Sequence, residues 1–213
     1  MRKYIYSKIF HYKNLIIEMN PEVYEPAEDT FQLLESIEIK PDDDVLEIGT
    51  GCGIIALQCA SIGANVLSTD INPYAIDLTK RNYIKNKSVI KGKMEIRKGD
   101  LFSTIKDNEK FDVIIFNPPY LPTKKIELVG GSGWFDVATN GGIDGLSLTK
   151  RFIEDLSKYL NDNGKAYFVF SSLSKRKKID LYLSKYRLKG QIVSEYSFND
   201  ETLFVYCVSR CFN

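Results

Sequence analysis

The sequence of 213 residues has one histidine, His11, and one tryptophan, Trp134. A lone histidine in a polar N-terminal stretch makes a Ser-His-Asp hydrolase a poor reading. The four cysteines, Cys52, Cys59, Cys207 and Cys211, contain no Cys-x-x-Cys pair, so their spacing fits no zinc pattern. They read as reduced thiols of a cytosolic protein. No apolar run approaches the roughly 18–20 residues of a membrane span, and residues 1–6 are too short and polar for a secretory leader. The expected location is therefore the cytoplasm. Excess charge is also missing: 29 basic against 28 acidic residues leave +1. That argues against a dominant nucleic-acid footprint, though not against a local patch. There is no internal repeat and no low-complexity linker.

What is present is an ordinary globular composition, 44% hydrophobic and 27% charged. Length and pattern predict a single domain over 1–213. Apolar, β-rich runs at 45–48, 65–70, 94–97, 111–116, 165–170, 191–196 and 203–208 predict strands. Helical patterns at 54–60, 73–83, 146–160 and 174–186 lie between them, with an added N-terminal helix at 27–37. Alternation of this kind signals an α/β sheet with crossover helices. The segment 121–145 fits no element and holds six glycines, Gly130, Gly131, Gly133, Gly141, Gly142 and Gly145. It starts where the fourth strand ends, where open α/β sheets bind ligands, which favours a substrate lid over an idle linker.

Three strand ends carry candidate cofactor chemistry. Glu47-Ile48-Gly49-Thr50-Gly51-Cys52-Gly53 joins a strand to a helix, and glycines there permit a tight turn and close approach of a ligand. A dinucleotide fingerprint requires a third glycine where Ile54 stands, so it fails. The acid-x-Gly-x-Gly-x-Gly pattern instead resembles the S-adenosylmethionine motif of class I methyltransferases. Asp70 ends the second strand about 20 residues after Gly49, where a carboxylate accepts ribose hydroxyls. Asp100, in Gly99-Asp100-Leu101 after the third strand, occupies the place of the acid that holds the adenine amino group in such enzymes.

The fourth strand ends in Asn117-Pro118-Pro119-Tyr120. Two prolines freeze the backbone, so the Asn117 side-chain carbonyl and the Pro118 main-chain carbonyl can share one planar NH2 group while Tyr120 packs on its π-face. Orientation of that kind supplies on the order of 7 kcal/mol in good cases. The motif resembles the one used on planar nitrogens: glutamine side chains, adenine N6 and guanine N2.

The order of motifs resembles the HemK/PrmC group of protein-glutamine N5-methyltransferases, which act on the Gly-Gly-Gln loop of class I translation release factors. Val23-Tyr24-Glu25-Pro26-Ala27-Glu28-Asp29-Thr30-Phe31 looks like the N-terminal signature of the archaeal and eukaryotic branch. Asn140-Gly141-Gly142-Ile143-Asp144-Gly145-Leu146 looks like the Gly-Gly-x-Asp-Gly-Leu stretch that follows the catalytic motif. The resemblance implies a class I, Rossmann-like fold: a seven-stranded mixed sheet with helices on both faces, an antiparallel last strand, and a short N-terminal helical extension over 1–40 that contributes to the active site.

The resemblance implies Asn117, Pro118, Pro119 and Tyr120 as the catalytic set. It implies contacts to S-adenosylmethionine, with S-adenosylhomocysteine as product, from Thr30, Glu47, Gly49, Thr50, Gly51, Cys52, Gly53, Asp70, Ile71, Asp100, Leu101 and Asn117. Glu28, Asn117, Pro118 and Tyr120 would meet the substrate. Two roles stay open for Glu47, orienting the glycine turn or binding the cofactor's amino group. Trp134 is either a lid anchor or a partner contact. Glu28, Asp29 and Thr30 also suit a plain helix start, and the run from Lys175 to Lys178 reads as a solvated helix start.

Bacterial members carry a separate N-terminal helical domain, and the residues before Tyr24 are too few for one. Members of the archaeal and eukaryotic branch are similarly short, and the resemblance to them implies a small zinc-binding, Trm112-like activator as partner, beside the release factor as substrate. Two other classes compete. A nucleic-acid N-methyltransferase acting on adenine N6 or guanine N2 would use the same residues, and a cofactor-binding scaffold would need no amide clamp.

Overall fold

The computed structural model describes residues 8–122 and 133–211. Its elements run β1 (Ile9–Tyr12), β2 (Leu15–Glu18), α1 (Glu28–Ser36), β3 (Asp44–Ile48), α2 (Ile54–Ile62), β4 (Asn65–Asp70), α3 (Pro73–Lys85), β5 (Lys93–Lys98), β6 (Phe111–Phe116), α4 (Trp134–Thr139), α5 (Ser147–Tyr159), β7 (Leu160–Ser171), α6 (Arg176–Lys185), β8 (Leu188–Phe198) and β9 (Glu201–Arg210). Seven strands form one mixed sheet in the order β5-β4-β3-β6-β7-β9-β8. The first five of these pair in parallel, and β9 runs antiparallel to both neighbours. This is a class I methyltransferase fold. The central strands are continuous apolar runs because helices cover both of their faces.

Two apolar clusters occupy those faces. One gathers α2, α1 and the β1–β2 hairpin around Val45, Val113 and Ile115. The other gathers α5 and α6 around Leu46, Ile114 and Phe168. Helix α2 is apolar on nearly every side, with Ile54, Ile55, Ala56, Leu57, Cys59 and Ala60 all buried. That pattern demands a second cover opposite the sheet, and the hairpin is packed against it. Among the described residues no helix is long and apolar enough to cross a membrane.

The N-terminal extension is not purely helical. The hairpin precedes α1 and turns through Lys13-Asn14, with Lys13 at φ 52. Its inner strand, β2, is held by two asparagines one turn apart, Asn82 on α3 and Asn86 at the C-cap of α3. Asn82 accepts from the Glu18 N–H at 2.8 Å and donates to the Glu18 carbonyl at 3.1 Å. Asn86 does the same with Ile16, at 2.8 Å in both directions. Buried primary amides thus stand in for a neighbouring strand.

Two further differences concern loops. Asn161-Asp162-Asn163-Gly164, a run of turn formers directly after the helical pattern at 146–160, lies within β7, as a bulge where pairing with β6 jumps from Leu160 to Lys165. Part of the segment 121–145 is ordered structure: α4 lies there, and Leu121 bridges to Asn140. Gly130 and Gly131 fall outside the described residues, as does the rest of the expected lid over 123–132.

Candidate active site

The turn from β3 to α2 is tied down on three sides. The Thr50 N–H donates to the Thr69 carbonyl at 2.9 Å. The Gly51 N–H donates to Asp70 Oδ2 at 2.9 Å, and Thr79 Oγ1 donates back to the Gly51 carbonyl at 3.1 Å. Asn82, which holds the hairpin, also donates to the Cys52 carbonyl at 2.8 Å. Gly53 caps α2 at φ +84, and a Cβ there would meet Thr79 Cγ2 at 2.8 Å, so conformation and space both require glycine.

Glu47 is buried beneath this turn and accepts from Thr50 Oγ1 at 2.5 Å. Burial pushes its carboxyl up to about 8, with Asp70 adding to the rise, while the Thr50 hydroxyl and the Ala56 N–H pull the other way. These bonds favour the turn-orienting role. The cysteine of the turn is inert, since burial raises the Cys52 thiol to about 12.

Asp70 sits at the end of β4. One of its oxygens holds the Gly51 N–H, and the other holds the Asn72 N–H at 2.8 Å. Each carboxylate oxygen has a second acceptor position, so capacity for hydroxyl donors remains. Burial raises the Asp70 carboxyl, and the backbone N–H bonds oppose it. Asp100 lies at the rim, paired through Oδ2 with Arg151 at 2.7 Å. Ile71 and Leu101 line the same cavity, Ile71 exposed and Leu101 buried.

The other end of the cavity is built on Asn117 and Tyr120. Asn117 Nδ2 donates to Asp29 Oδ2 at 3.1 Å and to Thr30 Oγ1 at 3.4 Å. Its Oδ1 is buried and has no hydrogen-bond partner among the described residues. The Tyr120 hydroxyl donates to Asp29 Oδ2 at 3.1 Å, and the Tyr24 hydroxyl to the same oxygen at 3.3 Å. Burial, then the charge of Asp29, holds both phenols well above their ordinary range.

The backbone of the motif is gripped from the glycine-rich stretch. The Gly141 N–H donates to the Leu121 carbonyl at 3.1 Å. At Gly145, φ +69, a Cβ would collide with the Tyr120 carbonyl. Asp144 anchors that stretch through Lys150 at 2.8 Å and Lys178 at 2.9 Å, and Lys150 before Lys178 lowers its carboxyl to about 2.

One continuous cavity joins these parts, and of the site residues expected from sequence only Gly53 and Glu28 are absent from its lining. Glu28 points to solvent from the first turn of α1, and the next residue, Asp29, is the one turned inward. Sequence reasoning treated Asp29 as a helix start. The helical period alone does not say which of two adjacent acids faces the core. Tyr24 is a second residue it passed over. Trp134 lines the cavity from α4. The basic run lies exposed at the start of α6, as expected of a solvated helix start.

Comparison with known proteins fits this geometry. The family described as methyltransferase small domain matches residues 28–193. A putative protein N5-glutamine methyltransferase of Methanocaldococcus jannaschii is 38% identical over 198 residues, spanning 92% of this chain and 96% of that protein. Methyltransferase HEMK2 of Homo sapiens is 33% identical over 192 residues, spanning 86% and 88%. Among solved structures, the Mtq2-Trm112 complex of E. cuniculi, described as responsible for methylation of the eRF1 translation termination factor, aligns with a TM-score of 0.68. It covers 89% of this chain and 99% of that one at 24% identity, a likeness of fold.

Proposed function

Because the chain belongs to the methyltransferase small domain family, in its HemK/PrmC-like protein-glutamine N5-methyltransferase group on the archaeal and eukaryotic branch, we propose that it methylates N5 of the glutamine in the Gly-Gly-Gln motif of a class I translation release factor. The methyl donor is S-adenosylmethionine and the product S-adenosylhomocysteine. The observation that carries this reading is the buried, unpartnered Oδ1 of Asn117. An acceptor left so costs about 1–3 kcal/mol, which a substrate N–H recovers on binding.

The residues present fit the cofactor. The glycine turn leaves room against backbone for its methionine portion, Asp70 retains acceptor capacity for ribose hydroxyls, and Asp100 stands at the rim for an adenine amino group. Held there, S-adenosylmethionine supplies a sulfonium methyl group as electrophile. The chain's own contribution is orientation. Asn117 Oδ1 accepts one amide N–H, the Pro118 carbonyl accepts the other, and the Tyr120 ring packs on the amide plane. An amide nitrogen is a weak nucleophile because its lone pair is delocalised, so fixing it in line is the main catalytic device. No strong base is required, since the nitrogen sheds its proton to solvent after the new bond has formed.

The substrate assignment is supported by the glutamine methyltransferase names of the relatives. A Trm112-like activator as partner, taken to be small and zinc-binding from the family resemblance, is supported by the complex in which the E. cuniculi neighbour was solved, and a translation factor as substrate supports a cytoplasmic location. The test is transfer of labelled methyl from S-adenosylmethionine to the release factor, with and without the activator. Label on the factor, increased by the activator, is the expected result. No label in either condition would overturn the proposal.

A further inference from the structure

We propose that Asp29 is a positioning residue that locks the Asn117 amide in one of its two flip states, so that Oδ1 and not Nδ2 is offered to the acceptor. This deepens the proposed reaction and rests on that reading for the identity of the acceptor. A terminal amide torsion is roughly two-fold, and a flip exchanges a carbonyl oxygen for an NH2 group at almost no steric cost. In the wrong state Asn117 would present N–H donors to the N–H donors of a glutamine amide, and the clamp would repel its substrate.

Among the described residues, both acceptors that face Nδ2 lie on the first turn of α1. Asp29 Oδ2 is an acceptor 3.1 Å from Nδ2, and Thr30 Oγ1 at 3.4 Å reinforces it. The same carboxylate fixes the second member of the clamp through the Tyr120 hydroxyl at 3.1 Å. Tyr24 adds a third donor to Oδ2, while Oδ1 takes the Thr30 N–H at 2.6 Å and the Thr30 hydroxyl at 3.1 Å. Five donors, three on Oδ2 and two on Oδ1, saturate the roughly four lone-pair positions of a carboxylate. Asp29 is therefore committed to the protein and is not free to take a proton from substrate, which separates this role from that of a general base. The arrangement also explains why a helix from the N-terminal extension reaches the end of β6: the acid that sets the clamp's polarity comes from a different part of the chain.

The test compares Asp29→Ala with wild type, with Asp29→Asn as a second variant of unchanged shape. Positioning through Asn117 predicts a fall in kcat on the order of 100-fold with affinity for S-adenosylmethionine nearly unchanged, and a thermal midpoint that falls more in Asp29→Ala, which strips five donors of their acceptor, than in Asp29→Asn. It also predicts non-additivity, so that adding Asn117→Ala to Asp29→Ala costs little more than either alone. Independently of activity, the Asn117 side-chain NH2 resonances of 15N-labelled protein should show slowed hydrogen exchange in wild type and lose it in both Asp29 variants. Fully additive losses, or Asn117 resonances indifferent to Asp29, would overturn the proposal. A wild-type protein that methylates no glutamine acceptor would overturn the proposed function instead, and the resonances would still decide the orientation.

Discussion

Replacing Asn117 by alanine removes the unpartnered Oδ1 without touching the glycine turn or Asp70. The expected outcome is loss of methyl transfer with S-adenosylmethionine affinity within a few fold of wild type, read by calorimetry beside a turnover assay. Equal losses in both would mean that Asn117 serves cofactor binding rather than the acceptor. At this scale the sequence was informative where chemistry dictates residue type. The two prolines after Asn117 and the acid after β4 announce themselves by position. What could not be read is which neighbour completes them. Glu28 and Asp29 are chemically similar and adjacent, and only the packing of α1 against the end of β6 turns Asp29 inward. Likewise, that Asp70 holds the Gly51 N–H depends on β3 and β4 being paired in parallel, with Ile48 opposite Thr69.

Elements carry two further predictions. Gly145 opens the approach to α5 at a positive φ with its Cα side against the Tyr120 carbonyl. Gly145→Ala must shift the catalytic motif or strain the turn. It should cost about 2 kcal/mol in denaturant unfolding and reduce turnover more than cofactor affinity. Asn82 is fully buried and serves two elements at once, the inner strand β2 of the hairpin and the Cys52 carbonyl of the glycine turn. Asn82→Ala leaves one buried and two part-buried backbone groups unpaired and should cost about 2–4 kcal/mol, with weaker binding of S-adenosylmethionine. An unchanged affinity would show that the hairpin and the turn are independent. Most sheet strands and helices were legible because their periods and punctuation agree, as at β4 and β6, whose bounds match the expectation. The hairpin was not. Its strands are short, and their partners are asparagine side chains sixty to seventy residues away, a relation that local pattern does not encode. The turn signal Lys13-Asn14 between two apolar runs was the only local clue.

For the molecule as a whole, ionisation sets opposite limits on stability. Glu109 beside Arg97, and Asp144 beside Lys150 and Lys178, have carboxyls lowered to about 2. Their contribution is present above the ordinary carboxylate range and is lost as pH falls towards that value. Glu47 acts the other way. Its folded value of about 8 exceeds the ordinary 4.5 of the unfolded chain. Between those values the folded state retains a proton that the unfolded state has lost, so stability is highest below the lower value and declines as pH rises to the upper one. Urea unfolding of the ligand-free protein near pH 5 and about pH 9 should show that decline, and Glu47→Gln should flatten it. An equal decline in the variant would place the ionisation elsewhere. The α/β class follows from alternating patterns and the mixed sheet from the family resemblance, while the strand order β5-β4-β3-β6-β7-β9-β8 was read only from the structure. That the N-terminal segment contributes to the site was implied by the resemblance; its hairpin and the inward turn of Asp29 were visible only in three dimensions.

The central claim is that this clamp is built for a glutamine amide. The most direct measurement supplies labelled S-adenosylmethionine, the activator and three acceptors in parallel: the wild-type release factor, a factor with Gly-Gly-Ala in place of Gly-Gly-Gln, and total tRNA. The account predicts label on the wild-type factor alone. Equal label on the Gly-Gly-Ala factor, or label on tRNA with none on the factor, would contradict it.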